Sequence, residues 1–401
     1  MIKKGLIDKI HEAASIERWN DYVRPIKFTE LSKQAHKMAI AYVIAKFEEQ
    51  DKQVKIDWHK IIQGGIFEFL HRVMLTDIKP PVFHRMMKTK GKELNAWVLK
   101  NLDSDLKEVN FNFLENFKLY FYERDYAYTE KRILKAAHYL ATNWEFKIIY
   151  HSCPNIYGIE NTRQEIENEI EDHFDIIGVQ KISLGKKSFG FVDLCGQLRF
   201  QKRWANSPRI PKTDVLGHML IVAFLSYFCS AENNACEKRV YNNFFCALFH
   251  DLPEVLTRDI ISPIKSSVEG LDEIIHEYEL LQLEQKILPL IPYSWHKEIN
   301  YFLNDQFQNK IIEEGKIVKG LSNDDMENKY NKDIFSPIDG EIIRACDHFS
   351  AFIEASISIA HGIKSHHLID ARKQLYERYK NKQISNINFG QLFDFFTDEA
   401  T

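Results

Sequence analysis

Phe244-Phe-Cys-Ala-Leu-Phe-His250-Asp251-Leu-Pro-Glu254-Val-Leu-Thr-Arg-Asp259 sets an unbroken apolar run against a His-Asp doublet and two further acids. Pro253 disfavours helical geometry at Leu252 and removes a backbone donor. The spacing therefore predicts that one helix ends near the doublet and another segment starts at Glu254. Imidazole nitrogen and carboxylate oxygen both ligate divalent transition metals, and adjacent residues reach one ion only where the backbone turns toward a cavity. With 16 His and 57 acids in 401 residues, a single doublet is expected by chance. Its weight depends on its company.

That company lies in two segments that read as core helices. In Thr213 to Phe228, His218 shares a helical face with Val222, Leu225 and Cys229. In Asp339 to Ala355, Asp347 lies one turn from Ile343 and Ala351. Both polar groups are predicted to be buried. An unpaired buried carboxylate is costly, so a metal, a cationic side chain or a proton must compensate it. A histidine bonded to a backbone carbonyl accounts for His218 taken alone; the two helices and the doublet together favour a shared metal.

In this order, His218, His250, Asp251 and Asp347 resemble the ligand set of the HD superfamily of metal-dependent phosphohydrolases. With Arg203-Trp204 ahead and Glu254, Asp259, Pro263 and Lys265 behind, Leu198 to Ala360 is similar to the 5'-deoxynucleotidase-like HD hydrolases. The resemblance implies one divalent transition metal; manganese, cobalt, iron, nickel or zinc suits two histidines and two carboxylates. It implies metal-activated water acting on a nucleoside (deoxy) 5'-monophosphate, with Asp251 and Glu254 in catalytic roles. Arg203 would hold the phosphate, Trp204 shape the sugar pocket, Asp259 accept from a sugar hydroxyl and Lys265 add positive charge. Each has an ordinary alternative: Glu254 a helix-start acid, Arg203 a surface ion pair, Trp204 a core anchor, Asp259 a cap, Lys265 a solvated tail. The competing functions are an HD hydrolase of nucleoside triphosphates, cyclic dinucleotides or guanosine tetraphosphate, and a non-enzymatic nucleotide-binding scaffold.

Composition frames the site. A content of 45% hydrophobic and 13% aromatic residues supports two domains with sizeable cores, and a net charge of -4 supplies no basic field for a nucleic-acid polymer. The six cysteines include no Cys-x-x-Cys pair and read as free thiols of a reducing compartment. The first residues lack a signal-peptide core, and no uncharged apolar run approaches membrane-spanning length, so a cytoplasmic protein without membrane contact is expected.

The chain also reads as a fused duplicate. Gly65 to Pro81 can be laid on Leu248 to Pro263, Arg18-Trp19 echoes Arg203-Trp204, and Ile133 to Ala141 parallels Ile342 to Ala351. The same interval separates His36 from Glu68 and His218 from His250, which sets His36, Glu68, Phe69 and His138 opposite the four ligands and Arg72 opposite Glu254. Phe69 cannot bind a metal, so the first copy is expected to be degenerate. The expectation is an all-α fold of two tandem HD-like helical bundles, residues 1–185 and a catalytic 186–401, arranged as an intramolecular pseudo-dimer with room for further homo-oligomers. The longer second copy is expected to carry a polar loop insertion near 315–334, and Ser188 to Leu194 a brief strand or hairpin.

Overall fold

The structure, a computed structural model, describes residues 2–258 and 268–397. Helices dominate it, as the sequence predicts, and the strands described are three two-stranded antiparallel ribbons. The chain divides into two compact units, Gly5–Gly196 and Met1–Lys4 with Gln197–Thr401. The division thus falls at 196/197 rather than 185/186. Residues 177–196 stay with the first unit because their helices pack there: Gly178 lies so close to Ile44 that an added Cβ would stand 2.5 Å from its Cα. The carbonyl of Val192 meets the ring of His36 at 2.9 Å.

The first unit is built around α1 (Glu30–Lys52), α2 (Trp58–Leu75) and α3 (Tyr128–Ser152), with α4 (Lys187–Gln197) closing it. Ser188 to Leu194 belongs to α4 and forms no strand. Phe191, Val192, Cys195 and Gly196 are its buried positions, a helical spacing that overrides the short apolar alternation.

The second unit is organised by α5 (Val215–Glu232), α6 (Glu237–Phe249), the four-residue α7 (Glu254–Thr257) and α8 (Gly340–Ala360). Asp214 starts α5 by accepting a hydrogen bond from the Gly217 backbone N–H at 2.7 Å. Every α5 residue from Val215 to Ala231 is buried. A helix apolar on all sides is a core helix or a membrane span. Among the described residues α5 is the one helix long and apolar enough to cross a membrane, and it lies inside this unit. Apolar length of that order is therefore present in the chain, contrary to the composition reading, and is used here for a core. α6 ends at Phe249 and α7 opens at Glu254, as Pro253 predicts.

The insertion near 315–334 is folded. β1 (Lys310–Glu313) pairs with β2 (Lys316–Lys319), and a short helix, Asn323–Asn328, follows. Ile311, Met326 and Tyr330 form its own small core. The buried Arg239 of α6 ties it down, holding Glu327 at 2.6 Å and Asp339 at 2.7 Å. Asp339 in turn precedes α8, so this lattice fixes where α8 begins. The polar composition misled because the polar groups face a buried guanidinium and not only water.

Candidate metal centre

Three elements bring the doublet and the two distant polar groups together. His218 projects from the first turn of α5, His250 caps the end of α6, and Asp347 lies two turns into α8. Ligand atoms of His218, His250 and Asp347 all lie within 4.8 Å of one another. His218 Nε2 is 2.9 Å from Asp347 Oδ1. Asp251 Oδ2 stands 3.2 Å from His250 Nε2 and 4.0 Å from His218 Nε2.

The far side of each imidazole is already engaged. His250 Nδ1 lies 2.7 Å from the Ala247 carbonyl, which can only accept, so Nδ1 carries a proton and Nε2, beside Asp251, is the nitrogen left to ligate a metal once it is deprotonated. His218 Nδ1 meets the Ser350 hydroxyl at 3.1 Å. Both Nε2 atoms are buried without a hydrogen bond of good geometry. Two buried lone-pair nitrogens beside two carboxylates fit a divalent cation, whose ligands must be deprotonated. The carboxylate side chains keep 17% and 22% exposure while the His218 side chain has none, so the cluster opens to solvent on its acidic side.

The electrostatics follow from this crowding. Burial opposes charge on Asp251, yet His250 and His218 outweigh it and hold the carboxyl at about 2. Asp347 is likewise held below the usual carboxylate range, against burial, by the same two rings. Burial, aided by Arg203, pushes His218 down, whereas for His250 burial is outweighed by Asp251 together with Asp347 and the Ala247 carbonyl, which raise it.

Behind the cluster sits a residue that the sequence reading did not single out. Glu354, fully buried on α8, accepts the Trp204 indole N–H at 2.8 Å and lies 3.3 Å from Arg203 Nε and 3.7 Å from Arg209 Nη1. These guanidinium groups hold its carboxyl well below the usual range despite burial. Arg203 also faces the cluster, its Nη1 4.0 Å from Asp251. Ser350 and Glu354 stand three and seven residues after Asp347 on one helical face, and for Glu354 that spacing was open to sequence inspection. Glu254 is buried at the start of α7, and its backbone carbonyl accepts Gln201 Nε2 at 2.9 Å. Asp259 and Lys265 lie outside the described residues.

In the first unit the residues set opposite these ligands behave differently. His36 stacks edge-on against Trp144 at 5.2 Å, and its Nε2 lies 2.9 Å from Val192 O. The Lys33 Nζ is bonded to His138 Nδ1. Glu68 accepts Lys37 Nζ at 2.7 Å and the Tyr120 hydroxyl at 2.6 Å, and Phe69 is fully buried.

Residues 195–376 match a family model described as HD domain. A 5'-deoxynucleotidase of Pectobacterium atrosepticum is 28% identical over 131 residues, covering 31% of this chain and 62% of that protein. The 4'-phosphooxetanocin A phosphatase of Priestia megaterium is 24% identical over 193 residues, covering 47% of this chain and 82% of its own length. A 5'-deoxynucleotidase of Vibrio atlanticus is 29% identical over 139 residues, covering 33% of this chain and 69% of that one. The chain thus spans less than two thirds of the first of these relatives.

Proposed function

We propose that this chain, whose second half carries an HD domain, is a metal-dependent phosphohydrolase that releases phosphate from nucleoside (deoxy) 5'-monophosphates. The observation that carries the reading is the convergence of two buried imidazole Nε2 atoms on the Asp251 and Asp347 carboxylates, with both Nδ1 atoms engaged elsewhere. The names of the relatives, two deoxynucleotidases and a phosphatase, support the substrate class.

His218, His250, Asp251 and Asp347 would hold one divalent cation. Bound there, it would supply Lewis acidity toward a phosphoryl oxygen and lower the pKa of coordinated water. The remaining work belongs to side chains. Arg203, anchored by Glu354 and facing Asp251, binds and orients the phosphate oxygens. Trp204, fixed through its indole N–H, walls the sugar side of the pocket. Glu254 holds the proton that the departing alkoxide needs at its ester oxygen. Asp259 accepts from the sugar, and Lys265 adds positive charge.

The test is phosphate release from a panel of nucleoside monophosphates with manganese, cobalt, nickel and zinc, comparing wild type with Asp251→Ala and Glu254→Gln. Metal-dependent release is expected, falling at least about a hundredfold in either variant, as for loss of an acid–base group. Absence of metal-dependent release from every phosphorylated compound tried would remove the reading.

A further inference from the structure

The two units share one local frame. Arg18, Phe28, Thr29 and Lys33 stand at a single constant offset from Arg203, Thr213, Asp214 and His218. Glu17 pairs antiparallel with Thr29, and Lys202 with Asp214. Thr29 accepts from the Ser32 N–H as Asp214 accepts from Gly217. Trp19 and Trp204 share a left-handed backbone, φ 57° and 59°. Each gives its indole N–H to a buried glutamate at 2.8 Å, Glu145 in one unit and Glu354 in the other. Arg18 Nε lies 3.0 Å from Glu145, as Arg203 Nε lies 3.3 Å from Glu354. Glu145 follows His138 by the same interval as Glu354 follows Asp347. In this frame Lys33, not His36, is the counterpart of His218.

We infer that the first unit carries its cation covalently: Lys33 fills the position of the histidine ligand, and the Lys37 ammonium takes the place of a bound metal. Lys37, one turn beyond Lys33 on α1, is fully buried and salt-bridged to Glu68, the counterpart of His250. The amine of Lys33 bonds His138, the counterpart of Asp347. Phe69 replaces the aspartate of the doublet with a ring. Negative charge in the pocket is matched from within the chain, since Arg18 reaches Glu30 at 2.9 Å and Glu145 at 3.0 Å. A divalent ion entering here would meet the Lys37 ammonium, already paired with Glu68, where the metal would stand, so electrostatic repulsion closes the site.

The inference uses the metal reading of the second unit only as its contrast, and its test separates the two. Metal content of the full chain is measured after saturation with manganese or cobalt and desalting, for wild type, Asp347→Ala, and the pair Glu68→Gln with His138→Gln. One equivalent is expected in wild type, none in Asp347→Ala and one in the Glu68/His138 variant. Two equivalents in wild type, or a lost equivalent in the Glu68/His138 variant, would overturn the inference. Hydrogen exchange with and without chelator gives an independent reading should no metal be retained, an outcome that would count against the second-unit site alone. Protection of peptides from α1 and α3 is expected to be unchanged by chelator and lowered by Lys37→Met. Chelator-dependent protection in α1 and α3 would refute a built-in cation.

Discussion

At the scale of single residues, Glu354 shows how Arg203, proposed above to bind phosphate, can sit beside the candidate metal cluster. Its carboxylate holds Arg203 and Arg209 and fixes Trp204, so the positive charge facing Asp251 is anchored from behind. Glu354→Gln keeps the shape and removes the charge. Breaking a buried pair in this way is expected to cost about 3 kcal/mol, read as a lower urea midpoint for the second unit. KM for a monophosphate should rise more than kcat falls, because Arg203 loses its orientation before the chemistry loses a group. An unchanged midpoint would show that Glu354 is not the anchor. His218 and Asp347 were legible in the sequence because a polar group on an apolar helical face breaks a pattern. Glu354 broke the same pattern and was readable at its seven-residue spacing from Asp347. Ser350 was not, since a serine in a core helix bonds its own backbone as easily as a histidine.

At the scale of elements, α8 must begin at one place for Asp347 to meet α5 and α6. Gly340, its first residue, lies against the Gln308 backbone, where an added Cβ would stand 2.2 Å from the nitrogen. Backbone cannot yield as a flexible side chain can, so Gly340→Ala is expected to cost about 2 kcal/mol by overpacking and to weaken metal binding in a calorimetric titration. Retention of both wild-type stability and metal affinity would show that α8 is positioned by other contacts. The cap of α5 offers a milder control: Asp214→Ala should cost about 1 kcal/mol, measured by thermal unfolding. The break between α6 and α7 was legible from Pro253. The folded insertion was not, because its order comes from Arg239, far away in sequence, pairing with Glu327 and Asp339. The first unit's cap and ribbon place Lys33, rather than His36, at the offset of His218. Equal intervals pointed to His36, but α1 has 23 residues against 18 in α5, so the step to the next helix differs while the cap and ribbon hold Lys33 in place.

At the scale of the whole molecule, the helical class followed from pattern, while the chemistry of the first unit required its buried pairs to be seen. Those pairs give that unit a pH dependence of definite sign. Burial, reinforced by Lys33, holds His138 well below 6.5. The unfolded chain therefore takes up this proton first. The stability contributed by the neutral ring is complete above pH 6.5 and is lost as pH falls below it, at up to about 1.4 kcal/mol per pH unit for one proton. Burial also pulls Lys33 well below 10.5, which acts in the same direction across the alkaline range. For Glu30, burial opposes charge, but Arg18, Lys33 and Arg72 together outweigh it and lower the carboxyl, adding a further loss below 4.5. All three groups make the first unit more stable as pH rises. Hydrogen exchange corrected for intrinsic rates should show α1 and α3 losing about 1 kcal/mol of protection between pH 6.5 and 5.5. His138→Gln should remove most of that loss by removing the titrating ring. Protection that stays flat in wild type over this range, or falls equally in His138→Gln, would mean that the Lys33–His138 contact does not keep the ring neutral.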